Sequence, residues 1–338
     1  MGCAIIPNVR IKAIASVAAD CIELNDFEKN DKKEQDKFND IIGIHARRIA
    51  DSNTTTVDLM FKAASKLLSE SDTNIDSIGC ILCVSQTPNH LVPGNSYILC
   101  DRLHASRSVL SLDISAGCSG FTHGLLALGR LLDKSSISRG LLVAGDTLTK
   151  YIDKNRSAER SVFGDAASAC LVEYDSDSSG FVAMWKTVAD KYSKIIVPGS
   201  LDSLIYGAGS SDTSLLLDGS EVFSFSIKEV PEMVNSILDY CEMSADDIGL
   251  FVFHQANKFM VHYIAKKLHI PDDKAPVLID GIGNTSSASI PVVLSRYAAS
   301  KNIARLSGRM CLVGYGVGLS ISAIMVDMAD VNIAHVDI

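Results

Sequence analysis

Short apolar runs alternate with segments of helical period along most of this chain, and the alternation occurs twice. In the first half Val9–Ala18, Ile78–Val84, Ser111–Ser115, Leu141–Ala144 and Ala169–Glu173 read as strands, Ile78–Val84 as a short apolar run suited to a buried one. Between them Thr56–Leu68, Tyr97–Leu103 and Gly120–Leu132 read as helices. In the second half, helices over Val222–Met243, Lys258–Leu268 and Ala288–Ala299 alternate with strands over Leu250–Phe253, Val277–Ile279, Arg309–Val313 and Leu319–Val326. This order predicts an α/β fold with mixed or parallel sheets and helices on their faces. Two similar halves are expected, residues 1–175 and 176–338, without a strict sequence repeat. Asp175–Asp218, rich in Ser, Asp and Gly, is expected to carry irregular crossovers and loops, and the charged run Lys29–Asp40 a solvated helix or loop.

Composition narrows the function classes. With 338 residues, 47% hydrophobic and 21% charged, the chain can bury a large core and is not disordered. A net charge of -9 without a Lys/Arg run argues against nucleic acid as a partner. The nine cysteines are odd in number and mostly sit in apolar runs, so they read as reduced thiols. The N-terminal stretch MGCAIIPNVRIKAIASVAADCIELN is broken by Arg10, Lys12, Asp20 and Glu23, unlike a signal peptide, and Ile6 stands where a myristoylation signal needs Ser or Thr. It reads as the entry to a first strand. No apolar segment is long enough to span a membrane, so a cytoplasmic protein is expected.

Four segments carry candidate chemistry. In SLDISAGCSGFTHGLLALGRLL a strand and a small-residue turn place Cys118 at a helix N-terminus, where the macrodipole and unpaired N–H groups favour thiolate. The plainer alternative is a buried cysteine at a strand–helix junction. In LFVFHQANKFMVHYIAKKL, His254 ends an apolar strand, where an open α/β site is built; the alternative is a structural histidine. In VLIDGIGNTSSASIPVVL, Asn284 follows a Gly-rich turn and could supply a neutral donor, or merely turn and capping chemistry. In MCLVGYGVGLSISAIMV, Gly314, Gly316 and Gly318 interrupt a strand-like run and imply close backbone approach, with N–H groups available to an oxyanion. A fifth segment, RSVFGDAASACLVE, reads as a tight structural turn at Gly164 and Asp165.

In their order and spacing, DISAGCSGFTHGL, FGDAASA, HQAN, GNTSSASIP and GYGVGLS resemble the ketoacyl-acyl-carrier-protein synthase III family of the thiolase superfamily. The resemblance implies a five-layered αβαβα thiolase fold from two similar halves, a homodimer, and a Cys118–His254–Asn284 triad. It assigns an oxyanion hole to the backbone of Cys118 and Val317, and an acyl tunnel to Val92, Tyr315 and Gly316, the Val92 loop QTPNHLVPGNS lining this chain's tunnel or its partner's across the dimer. It implies an acyl-carrier-protein partner, for which Lys258, Lys266 and Lys267 on the helix after His254 are candidate docking residues. The implied reaction is a decarboxylative condensation of an acyl thioester with a malonyl thioester, with no metal or redox cofactor.

The match departs from the family in DIIGIHARRIAD, where Ile41 and Lys37 or Phe38 stand in place of the Arg and Trp that hold coenzyme A, and at Phe259, where an Arg is frequent. These departures point to a specialised paralogue with a carrier-bound or longer acyl donor. Competing readings are a non-decarboxylating acyltransferase on the same fold, which the intact Asn284 disfavours, and a partner subunit of a heterodimeric condensing enzyme, which the retained Cys118 disfavours. A zinc site on Cys80, Cys83 and Cys100 lacks a second pair at suitable spacing.

Overall fold

The computed structural model describes residues 1–26, 32–198 and 214–334. Residues 29–31 and 199–213, covered by the expectations above, lie outside the described residues.

The strands are β1 (Gly2–Ile6), β2 (Val9–Ala18), β3 (Cys21–Leu24), β4 (Ala46–Ile49), β5 (Cys80–Val84), β6 (Leu110–Ile114), β7 (Arg139–Asp146), β8 (Ala166–Tyr174), β9 (Phe181–Thr187), β10 (Ile195–Ile196), β11 (Leu216–Leu217), β12 (Leu250–Phe253), β13 (Arg305–Leu306), β14 (Arg309–Gly316), β15 (Ser320–Asp327) and β16 (Val331–Ile333). The helices are α1 (Lys32–Ile42), α2 (Thr56–Glu70), α3 (Asn95–Arg102), α4 (Gly120–Leu131), α5 (Ser157–Arg160), α6 (Gly219–Tyr240), α7 (Lys258–Lys267) and α8 (Ser289–Lys301).

Two large sheets organise the molecule. A seven-stranded sheet runs β13-β16-β2-β8-β7-β5-β6, and a five-stranded sheet runs β1-β9-β15-β14-β12. Both are mixed: β5 is parallel to β6 and β7, and β12 to β14, while β7–β8, β2–β8 and β14–β15 are antiparallel. The first strand pairs with β9 and so joins the five-stranded sheet, whereas the C-terminal β13 and β16 join the seven-stranded one. The chain ends therefore cross between the halves, and a cut at 175/176 separates most of each sheet but not its edges.

The layers follow from which faces are apolar. One cluster joins Phe121, Leu125 and Leu128 of α4 and Ile290, Val293 and Leu294 of α8 with residues of both sheets, so these helices lie between the sheets. A second packs α6 and α7 on the outer face of the five-stranded sheet through Met233, Ile237, Val261 and Ile264. A third packs α2 and α3 on the outer face of the other sheet through Leu59, Met60, Ala63 and Leu99. Small residues allow this: Gly140 leaves room for Leu128, and Gly124 for Val84 and Leu142. The result is five layers, αβαβα, a thiolase fold.

Two expectations fail. Val277–Ile279 is not a strand; its backbone is held by side chains, with Leu278 donating to Gln255 Oε1 (3.1 Å) and accepting from Arg296 (3.0 Å). The Ser/Asp/Gly-rich stretch is not irregular throughout, because FVAMWKT within it forms β9, paired on both edges. Local composition hid an apolar run whose pairing is entirely long-range.

Candidate active site

Cys118, His254 and Asn284 all line one cavity of about 410 Å3. Each reaches it from the end of a different secondary-structure element. Cys118 lies in the turn between β6 and the N-terminus of α4, where Gly117 and Gly120 have no room for a side chain: a Cβ at Gly117 would sit 2.1 Å from Gln86 Oε1, and one at Gly120 2.5 Å from Val84. The GYGVG turn closes over the sulfur. A Cβ on Gly316 would lie 2.8 Å from Cys118 Cβ, and the residue holds φ = +146°, so glycine is required there on both counts.

The HQAN segment divides its labour. His254 N–H donates to Val313 O at 2.8 Å, extending the β12–β14 ladder to the cavity. Gln255 N–H donates to Ser289 Oγ (2.8 Å), and Asn257 caps α7 by accepting from Met260 N–H (2.8 Å). Tyr315 presents its ring edge to His254 at 5.4 Å between centroids and donates to the His254 carbonyl at 3.1 Å. Burial drives the His254 pKa down to about 3, so the imidazole is neutral at physiological pH.

Asn284 is held by its own backbone, donating to Val162 O (2.8 Å) and accepting from Gly164 N–H (3.0 Å). The FGD motif thereby supports the Asn284 turn. A Cβ at Gly164 would collide with Ile282 O at 1.9 Å, and Asp165 accepts from the Ala50 and Thr149 N–H groups, fastening the turn beneath the site. The side-chain oxygen of Asn284 accepts from Ser286 N–H at 3.0 Å, which leaves its amide N–H groups as the part able to act in the cavity.

The thiol differs from the sequence expectation. Burial pushes Cys118 up to about 12, with the nearby Asp146 charge adding to the effect. The N–H groups of Val317 and Cys118 pull the other way without overcoming it. Desolvation outweighs the helix terminus, so the thiol is protonated at rest. The Ser286 hydroxyl makes no hydrogen bond of ordinary geometry, although Ser286 lines the cavity and is held at φ = +49°.

Tyr315, Gly316 and Val317 line the cavity. Val92 is 85% exposed and lies outside this cavity, whose walls include an apolar ribbon, β10 and β11, with Leu148, Phe163, Val222 and Met260. Lys258, Lys266 and Lys267 are all exposed, but they do not form one basic face. Lys267 turns to donate to Ile227 O on α6 (2.8 Å), because nine residues along a helix lead to the opposite side. Beside them Phe259 and Tyr263 pack on Phe223, with centroids 5.8 and 5.9 Å away. Sequence reasoning also missed Asp146, Gln86 and the ribbon; the strand-ending Asp of LLVAGD was the available signal for the first. Cys80 and Cys83 are buried strand residues, with the Cys83 thiol held well above its ordinary range by burial. Among the described residues no group of three or more metal-ligating side chains exists, and no helix is long and apolar enough to cross a membrane.

Comparison with known families and structures places the fold. Residues 112–191 match 3-oxoacyl-[acyl-carrier-protein (ACP)] synthase III, and residues 238–328 match that family's C-terminal region. The beta-ketoacyl-[acyl-carrier-protein] synthase III of Prochlorococcus marinus is 31% identical over 285 residues, covering 82% of this chain and 83% of the relative. That of Lactobacillus helveticus is 29% identical over 321 residues, covering 94% and 97%. The crystal structure of a 3-oxoacyl-(acyl-carrier protein) synthase from Burkholderia xenovorans superposes with a TM-score of 0.92 at 31% identity, covering 99% of this chain and 98% of that one. With the site assembled on the same fold, the chain belongs to the 3-oxoacyl-acyl-carrier-protein synthase III family of condensing enzymes.

Proposed function

We propose that the protein catalyses the decarboxylative condensation of an acyl thioester, carried on Cys118, with malonyl-acyl carrier protein in the cytoplasm, yielding a 3-oxoacyl thioester. The observation that carries this reading is the placement of a thiol, a neutral imidazole and an amide on one largely apolar cavity.

Cys118 enters protonated and His254 neutral, so the imidazole can accept the thiol proton as sulfur attacks the donor carbonyl, then return it to the departing thiolate. The malonyl thioester next loses carbon dioxide, and the electron pair of the broken bond becomes an enolate. A hydrogen bond from His254 and one from the Asn284 amide oppose the charge on its oxygen. The enolate carbon attacks the acyl carbonyl, the N–H groups of Cys118 and Val317 hold the resulting oxyanion, and Cys118 leaves as thiolate to be reprotonated. These steps use only side-chain and backbone groups of the chain.

Lys258 and Lys266, eight residues apart on α7, are the cations proposed to meet the acidic carrier, with the Phe223–Phe259–Tyr263 cluster beside them. We also propose a homodimer. Among the described residues β6 has no neighbour on its outer side, and Leu110 and Leu112 there are each 37% exposed, an apolar edge suited to pairing. In that assembly the exposed Val92 loop would reach the partner's cavity. Light scattering of wild type against Leu112→Lys tests it, and an unchanged mass would sink it.

Intact-mass spectrometry with a panel of acyl-coenzyme A and acyl-carrier donors, beside Cys118→Ala, tests the condensation. A donor-specific mass gain on wild type alone, discharged by malonyl carrier as a 3-oxoacyl product, is expected. Discharge only to an alcohol or amine would replace this reading with plain acyl transfer.

A further inference from the structure

The condensation leaves one buried group of the site without a role, the carboxylate of Asp146. It ends β7, is fully buried, and accepts five hydrogen bonds. Its Oδ1 takes Gln86 N–H (2.7 Å), Ser85 Oγ (3.1 Å) and Thr87 Oγ1 (3.2 Å). Its Oδ2 takes both donors of Ser287, the N–H at 3.1 Å and Oγ at 2.7 Å. Among the described residues no cation is paired with it. A buried carboxylate satisfied by neutral donors alone is a costly arrangement.

What it holds is informative. One oxygen anchors the loop that carries Gln86 into the cavity; the other anchors the turn that carries Asn284. The Asn284 side-chain oxygen rests on Ser286 N–H, and the next N–H in the chain, that of Ser287, is the one bound to Asp146. Ser286 between them is held at φ = +49°, a conformation unfavourable for a non-glycine residue that needs anchoring on both sides. Releasing Ser287 would let this turn relax, and the Asn284 amide would lose the N–H that orients it.

We propose that Asp146 is a positioning residue for decarboxylation, anchoring the Asn284–Ser287 turn so that the Asn284 amide presents its N–H groups to the enolate oxygen. This rests on the condensing reading above. The loss falls on decarboxylation, because acylation of Cys118 does not use Asn284 and the Asp146 charge, which disfavours the Cys118 thiolate, does not speed that step.

The test measures acylation and carbon dioxide release separately on wild type, Asp146→Asn, Asn284→Ala and the double variant. Asp146→Asn is expected to lower kcat for carbon dioxide release ~100-fold with KM little changed, while acylation stays within about threefold of wild type. The double variant is expected to be no slower than Asn284→Ala, since one residue acts through the other. Equal rates for wild type and Asp146→Asn, or losses that multiply in the double variant, would overturn the inference while leaving the condensing reading intact. A wild type that releases no carbon dioxide overturns the condensing reading and this inference together. Should circular dichroism show Asp146→Asn unfolded, Ser287→Ala removes one of the five hydrogen bonds and is expected to slow carbon dioxide release ~10-fold without slowing acylation; an unchanged rate there overturns the proposal.

Discussion

The two walls of the cavity are built on different principles. The wall bearing Cys118, His254 and Asn284 consists of strand ends and helix N-termini, and its backbone is tied down by directional bonds: His254 on Val313, Asn284 on Val162 and Gly164, Gln255 on Ser289. Its glycines admit no side chain. The other wall is the two-residue ribbon of β10 and β11, where Ile196 lines the cavity and Ile195, Val197, Leu215 and Leu217 pack with Leu148 and Phe163. It offers apolar surface and few directional bonds. Chemistry needs atoms fixed to fractions of an ångström, whereas binding an alkyl chain needs only shape and apolar area. The first wall should therefore tolerate no change and the second should tune.

Substitutions can break this comparison, and the largest effect belongs to the nucleophile. Cys118→Ala is expected to abolish covalent acylation, a loss beyond ~1,000-fold in turnover, read by intact mass. Asn284→Ala follows, with carbon dioxide release down ~100- to 1,000-fold while acylation persists; parallel loss of both would show that the wall acts as one structural unit.

Next come the pH effects. Since burial pushes Cys118 up to about 12, its alkylation by iodoacetamide should rise ~tenfold per pH unit from pH 6 to 9, because the thiolate fraction grows with pH below the pKa. A plateau near pH 7 would show a thiolate already formed. For His254 the folded value, about 3, lies below the ordinary 6.5. Between those values the unfolded chain binds the proton and the folded one does not, so stability is lost as pH falls below 6.5. His254→Asn should flatten that dependence in denaturant titrations.

The smallest change is expected on the ribbon. Leu217→Trp should shift the preferred donor toward shorter chains by several-fold in kcat/KM, on the order of one or two methylenes of burial, with carbon dioxide release from malonyl carrier unaltered. Equal loss for all donors would deny the ribbon a selective role.

Much of the chemical wall was legible in the residues. Leu250–Phe253 was read with its observed bounds, and His254 follows it; Cys118 sits between a recognisable strand and helix. These signals are local: an apolar run ends, small residues turn, a helix period begins. The GYGVG glycines announced a close approach, and Gly316 makes it against Cys118. The ribbon was not legible, because Ile195 and Leu217 lie in a stretch whose composition reads as loop, and only packing on Leu148 and Phe163 gives them a wall to form. The basic face failed for a geometric reason, one residue too many between Lys258 and Lys267.

The sequence by itself determined the alternation of strands and helices, the order of the reactive residues and the turns that carry them, because each depends on neighbours within a few positions. Tertiary structure alone decided that β1 crosses to the far sheet, that Asp146 backs the Asn284 turn from 141 residues away, and that Cys118 rests as a thiol. Pairing partners, buried charge and desolvation are sums over groups distant in the chain, and no local pattern contains them.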